Sequence, residues 1–319
     1  MSQVNTSVKK SVTRRKKLIT KKTLVGLVGG CYSTLAVALP QVTGNLGTGI
    51  SITEVPKIEL SGGLTGQLNI TQADKKGIIN WNSFNISEGE LVKFIQQAGN
   101  DSVTLNRITD GLASQISGAL EANGNIFLIN PKGIIFNEKA KIDVNGLVAS
   151  TLNIDDSAFL NSEGIASFVK EADAGGITNH GEINAKGSIY LIAPEIDNKG
   201  KIISTVASRI GVVLVDGDQV DVKYDSNGLI GFEIKQESST QTSVIKNSTN
   251  AQIKAEQVYL SAQQSGDLAT SVVNNEGVIE AKSLVDIKAS NIQNSGIIAK
   301  DVDLENANHE KIKEIKLTA

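Results

Sequence analysis

A short motif returns at a fixed interval in the second half of this chain, and it constrains the fold more than any other feature. Asn179-His180-Gly181-Glu182-Ile183-Asn184-Ala185 and Asn198-Lys199-Gly200-Lys201-Ile202-Ile203-Ser204 are offset by 19 residues. Asn275-Glu276-Gly277-Val278-Ile279-Glu280-Ala281 and Asn294-Ser295-Gly296-Ile297-Ile298-Ala299-Lys300 show the same offset, and the two pairs lie 77 residues apart, close to four such periods. Each Asn-x-Gly is a turn signal followed by a short apolar stretch.

A second element follows the first: Ile189-Tyr190-Leu191-Ile192-Ala193, Val258-Tyr259-Leu260-Ser261-Ala262 and Val285-Asp286-Ile287-Lys288-Ala289, with Ile126-Phe127-Leu128-Ile129-Asn130 as an earlier copy. Period-two alternation puts Ile189, Leu191 and Ala193, and their counterparts, on one buried face. Tyr, Asp, Lys or Ser occupies the opposite face, which reads as wet.

Repeats near 20 residues with alternating strands and Asn/Gly turns are what a solenoid requires, because a coil buries its inner face only by stacking on the next. Equivalent residues of stacked coils lie about 4.8 Å apart, which predicts aliphatic and asparagine ladders. Leucine-rich repeats share the period but demand regularly placed leucines that are absent here. The expected fold is all-β: a right-handed parallel β-helix with an N-terminal cap and extra-helical hairpins, of at most roughly a dozen coils. Aromatic residues make up only 4% of the chain, so the core must be aliphatic. The competing fold is a β-sandwich with chance internal similarity.

The N-terminus reads as an export signal. Residues 1–22 hold eight basic residues (Lys9, Lys10, Arg14, Arg15, Lys16, Lys17, Lys21, Lys22) and no acid, followed by an apolar stretch from Leu24 to Leu39. Ala36-Val37-Ala38 supplies the small residues that signal peptidase needs, which places cleavage after Ala38. Removing eight of 31 cations against 34 acids leaves 281 residues with a net charge of −11, which argues against a nucleic-acid partner. Two other readings compete. Leu27-Val28-Gly29-Gly30-Cys31 resembles a lipobox, and Thr13-Arg14-Arg15 weakly resembles a twin-arginine signal. Cys31 is the chain's one cysteine and His180 and His309 its two histidines. That composition excludes disulfide frameworks and paired Cys/His zinc motifs, and no cofactor or metal is expected.

The segment Gly77-Ile78-Ile79-Asn80-Trp81-Asn82-Ser83-Phe84-Asn85-Ile86, continuing through Leu91-Val92-Lys93-Phe94-Ile95-Gln96, resembles the secretion domain of two-partner-secretion exoproteins such as filamentous haemagglutinin and the high-molecular-weight adhesins. Asn106-Arg107-Ile108-Thr109, Gly124–Ile134 and Gly146-Leu147-Val148-Ala149-Ser150-Thr151-Leu152 match the same family in the same order. The resemblance implies Sec export and recognition of the unfolded chain by the periplasmic modules of a partner outer-membrane β-barrel. It also implies folding at the cell surface or after release, and a host-surface receptor for an adhesin-like product. The chain then divides into residues 1–38 (signal), 39–160 (secretion-domain core with its cap) and 161–319 (further coils and a charged end, His309 to Lys316). Asn130-Pro131-Lys132-Gly133 stands where the family usually has Asn-Pro-Asn-Gly. It keeps a type I turn pattern, with Lys132 in place of the family's second asparagine. Candidate transporter-recognition or turn residues are Asn130, Pro131, Lys132, Gly133, Asn106 and Arg107. Arg107 is expected to point opposite to Val103 and Leu105, in a solvated or paired surface position. Trp81 is expected in the cap or core.

Two rival functions remain. Polysaccharide lyases and hydrolases also use β-helices, and Asp216-Gly217-Asp218 and Asp301-Val302-Asp303 are the nearest carboxylate pairs, although turn or surface roles fit them better. Alternatively, ladder faces bearing Tyr190, Tyr259 and Phe127 would make a glycan- or protein-binding module. For the N-terminus the outcome is concrete: mass spectrometry of the exported protein should give Leu39 as its first residue, and an acylated Cys31 at that end would refute cleavage after Ala38.

Overall fold

Among the described residues the repeats stack as windings of a parallel β-helix. The computed structural model describes residues 39–43, 47, 49–60, 63–162, 164–171, 174–226, 228–240, 242–265, 270–300 and 314–318. Signal residues, Cys31, Ala36, Ala38, His309 and Asp301-Val302-Asp303 lie outside them. The windings run along three faces and successive windings pair in parallel; in the later coils the first two faces merge into single long strands, Gln252–Ala262 and Val278–Ala289. The coil at Ile177–Asn179, Glu182–Ala185 and Ile189–Ile192 stacks on the coil at Glu195–Asn198, Lys201–Ser204 and Val212–Asp216. The Asn-x-Gly turn joins the third face of one coil to the first face of the next, and the Ile189-type element forms the second face.

Register makes each predicted column literal. On the first face Leu68, Val92, Leu120, Ile142, Ile183, Ile202, Ile253, Ile279 and Ile298 pair rung by rung. On the second face Ile126, Leu147, Ile189, Val212, Val258, Val285 and Ile315 do the same. With Ile134, Ile177, Ile196, Ile245 and Val273 on the third face, these columns fill the interior as far as Ile279 and Val285; Ile298 is partly buried and Ile315, on the last strand, is exposed. Parallel pairing with the hydrophobic residue at the same position in each rung satisfies the backbone and the core together.

The turns add a second ladder. Asn179 Nδ2 donates to Asn198 Oδ1 at 2.8 Å, Asn198 to Asn247 at 2.8 Å, Asn247 to Asn275 at 2.8 Å, and Asn275 to Asn294 at 2.7 Å. Each also donates to a backbone carbonyl in the next coil, as Asn198 does to Gln252 O at 3.3 Å. Asn179, Asn198, Asn247 and Asn275 are buried, so these amides have no competing water. Glycine follows because the coils nearly touch there: a Cβ on Gly200 would sit 2.1 Å from Gly181 O, and one on Gly296 2.1 Å from Gly277 O.

The spacing of four periods between the motif pairs does not hold. Only Asn247 stands between Asn198 and Asn275 in the ladder, and it lacks the glycine that marks the other turns. Much of the missing length leaves the coil as the strands Gln219–Asp225 and Gly228–Gln236. An earlier excursion holds the helix α1, Asp156–Asn161, and the strand Ile165–Val169. These three strands pair antiparallel into an outboard sheet.

That sheet corrects the expectation of a wet second face. Leu105, Phe127, Val148, Tyr190 and Val213 point away from the helix interior, yet all are 0% exposed, because Ala166, Phe168, Val220, Val222 and Leu229 cover them in a second core. Phe127 packs on Phe168 and Phe159, with centroids at 5.6 and 6.0 Å. The alternation merely divides residues between two cores, so an aromatic on the outer side need not meet solvent. Tyr190 and Phe127 are therefore unavailable as a ligand-binding face.

The expected cap is present. Gln41–Val42 pairs antiparallel with Lys76–Ser83, and Ile50–Leu60 pairs antiparallel with Gly63–Gln72, so reversed strands cover the first rung. Leu39 is buried in the core there.

The asparagine ladder sets an expected outcome. Asn247→Ala should remove one of the two acceptors of the Asn198 amide and the donor to Asn275 Oδ1, and cost about 1–3 kcal/mol in urea unfolding. A loss no larger than that of an exposed substitution such as Thr249→Ala would deny the ladder its stabilising role.

Candidate functional site

Asn130-Pro131-Lys132-Gly133 closes the second face of one coil and opens its third. Gly133 N–H donates to Asn130 O at 3.0 Å, the i to i+3 bond of the expected turn. Asn130 Oδ1 accepts from the Lys132 N–H at 2.9 Å, so the side chain repeats the turn in Asx form. Asn130 Nδ2 donates to Leu112 O at 2.8 Å and Ser114 Oγ at 3.0 Å, pinning the loop of the preceding coil. Gly133 has φ +116°, open to glycine and strained for other residues. Asn130 is buried and Lys132 is exposed at the turn's tip.

The next coil packs directly onto this turn. Gly175 N–H donates to Pro131 O at 2.8 Å, and a Cβ on Gly175 would lie 2.5 Å from Lys132 backbone atoms. Leu112, 68% exposed, sits on the loop that Asn130 holds. Sequence reasoning passed over it, since a lone leucine between Gly111 and Ala113 carries no periodic signal.

Asn106 and Arg107 occupy neighbouring positions but point into opposite cores. Asn106 is fully buried: its Oδ1 accepts from Trp81 Nε1 at 3.0 Å, and its Nδ2 donates to Thr104 O at 3.1 Å and Phe127 O at 3.3 Å. Trp81 is accordingly a core residue, edge-on to Phe84 at 5.3 Å. Arg107 does not point opposite to Val103 and Leu105. The three share parity and face the same outer side, where Arg107 finds a polar margin of the outboard elements. Its Nε donates to Asn153 Oδ1 at 2.8 Å, its Nη1 to Asn80 Oδ1 at 3.3 Å, and its remaining donors reach Ile154 O and the Asp156 carboxylate. Lys76 holds the other end of α1, donating to Phe159 O at 2.8 Å and Ser162 O at 2.6 Å. Together they strap the helix, N-capped by Asp155, across the outer face.

A buried amide cluster went unread in the sequence. Gln96 Nε2 donates to Thr104 Oγ1 at 2.9 Å, Thr104 bonds Gln72, and Gln96 Oε1 accepts from the Gly124 N–H at 2.8 Å. These residues tie the corner between the first two faces in the early coils. Their equivalence depends on coil lengths that differ from 19, so spacing alone does not reveal it.

Asp216 and Asp218 do not form an acid pair on an open face. Burial pushes the Asp216 carboxyl up, and the nearby Ser238 and Ser243 hydroxyls and Gly217 N–H only partly offset this. Asp218 is different: although partial burial opposes it, Ser239 and the Lys170 ammonium, 3.5 Å away, hold its carboxyl below the ordinary range. His180 lies at an Asn-x-Gly corner, its backbone N–H donating to Phe136 O at 2.7 Å. Among the described residues no group of three or more His, Cys, Asp or Glu side chains is placed to hold a metal ion.

Comparison with known proteins agrees with this architecture. The family model of the TPS secretion domain matches residues 48–309. Two heme/hemopexin-binding proteins of Haemophilus influenzae are similar to the chain. One is 31% identical over 269 residues, covering 77% of this chain and 27% of the relative; the other is 33% identical over 150 residues, covering 45% and 16%. The chain thus spans less than a third of the length of these curated relatives. The crystal structure of the HMW1 secretion domain from Haemophilus influenzae superposes with a TM-score of 0.51 at 24% identity, covering 85% of this chain and 82% of that one, and it has the same fold. The chain belongs to the TPS secretion domain family.

Asp216 generates a pH prediction. Its folded-state pKa is raised, so the folded protein binds the proton more tightly than the unfolded chain. That contribution is complete below the ordinary aspartate value near ~3.9 and is lost as pH rises through the folded-state value. Asp216→Asn should therefore gain stability relative to wild type as pH rises above about 4 in paired urea titrations, and parallel profiles would count against a raised carboxyl.

Proposed function

We propose that this chain directs an exoprotein through the two-partner pathway. It leaves the cytoplasm by Sec, reaches a partner outer-membrane β-barrel unfolded, is recognised by that barrel's periplasmic modules, and nucleates β-helix folding as it emerges. The product is secreted or displayed at the cell surface. In this reading residues 1–38 are the signal, 39–160 the recognised core and 161–319 the coils that extend it.

The observation that carries the proposal is the one-ended construction of the solenoid. Reversed strands block the first rung, so coils add in a single direction, the order in which a threaded chain appears. No nucleotide drives transport at the outer membrane, so directionality must draw on folding. A coil such as 177–193 buries Ile177, Ile183, Ile189 and Leu191, and burying each such side chain stabilises the fold by about 1.5–3 kcal/mol before entropy is counted. Every completed coil also presents a hydrogen-bonding edge for the next.

Within this scheme Asn130, Pro131 and Gly133 shape the corner and hold the loop before it. Asn106 fixes Trp81, Arg107 straps the outboard helix, and the exposed Lys132 is available to the transporter. Release into the medium beside the partner barrel tests these roles. Asn130→Ala and Pro131→Ala should reduce release severalfold and slow refolding of the purified protein, whereas Lys132→Ala should reduce release alone. Undiminished secretion of all three variants would remove the turn from the export mechanism.

A further inference from the structure

The second core ends before the solenoid does. Along the outer side of the second face the apolar column Phe127, Val148, Tyr190, Val213 gives way to Tyr259, then Asp286, then Lys316, while the neighbouring column passes from Val215 to Ser261 and Lys288. The strand Gly228–Gln236 overhangs this change. Phe232 meets Tyr259 edge-on at 5.5 Å, and with Ile234 it roofs an open cavity of about 390 Å³ whose floor is Tyr259, Ser261, Asp286 and Lys288.

Two groups in this floor lack partners within the protein. Asp286 Oδ1 and Ser261 Oγ make no hydrogen bond, although Asp286 is 9% exposed and Ser261 4%. Lys288 stands 3.9 Å from the other Asp286 oxygen, beyond hydrogen-bonding distance. Orphaned buried acceptors are uncommon in native proteins and call for an occupant. The Tyr259 phenol, pushed up by burial and then by the Asp286 charge, stays a neutral donor held only by a 3.4 Å contact to Gln257.

From this arrangement we propose that the cavity binds a neutral sugar ring at the end of a glycan. The volume lies within the ~300–1,000 Å³ range of small-molecule sites. Aromatic and aliphatic walls suit the C–H face of a pyranose. Sugar hydroxyls donate to Asp286 and Ser261 and accept from Lys288, pairing the groups the protein leaves open. An anionic sugar is disfavoured beside the Asp286 carboxylate, whose lining cation Lys288 stands 3.9 Å away, while Glu233 at the rim is already paired with Lys223 and Lys235. The site is separate from the turn at Asn130 and does not depend on the export reading.

The test is saturation-transfer NMR and calorimetry on the exported full chain with the methyl glycosides of galactose, glucose, mannose and N-acetylglucosamine, and with methyl glucuronide as the anionic control. At least one neutral glycoside should bind with millimolar or tighter affinity. Asp286→Ala should weaken it by about tenfold or more, the loss expected for a hydrogen bond to a charged group. Tyr259→Ala should also weaken binding, while Tyr259→Phe retains most of it. Unchanged thermal unfolding of Asp286→Asn and Tyr259→Phe establishes that the fold is intact. Absence of binding by all four neutral sugars, equal binding of the glucuronide, or binding that survives Asp286→Ala and Tyr259→Ala would overturn the assignment.

Discussion

Parallel backbone pairing between successive windings is the constraint on which everything else in this molecule rests. It fixes equivalent residues one rung apart, so any side chain placed in a coil meets its counterpart above and below. Isoleucine columns satisfy that demand by dispersion and exclusion of water. Asparagine satisfies it differently: its amide offers a donor and an acceptor, and Asn179, Asn198, Asn247, Asn275 and Asn294 relay one bond to the next. A polar residue in a buried corner would be costly alone and becomes stabilising only as part of a continuous series.

The second consequence concerns the outer side of the coils. A solenoid built on alternation alone would be wet outside, yet here the coil interior and the space beneath the outboard sheet are both dry. The second core joins α1 and strands from two excursions to the second face, with Arg107 and Lys76 as charged straps at its margin. It also defines where the outer face becomes polar, because the overhang stops near Phe232 and Ile234. The cavity over Tyr259 and Asp286 is a product of that boundary.

Function in this family concerns passage of a chain, and the physical features relevant to passage are kinetic as well as structural. Antiparallel strands at the first rung and parallel stacking after it are the features on which the proposed one-directional folding rests. The turn at Asn130 joins neighbouring coils through side chain and backbone together, with Lys132 exposed at its tip.

Much of this was legible from residue order. The period, the Asn-x-Gly corners, the inward Ile and Leu positions, the need for a cap and the i to i+3 turn at Asn130 all follow from local rules, since they involve residues a few positions apart or spaced by a constant length. What the sequence could not determine was the path of the longer insertions. Asn247 joins the ladder without its glycine, Gln72, Gln96 and Thr104 meet across unequal coils, and Arg107, Phe127 and Tyr190 are covered by segments distant in the chain. Strand alternation assigns a side, but only the tertiary structure decides whether that side faces water, because burial depends on what the rest of the chain lays over it.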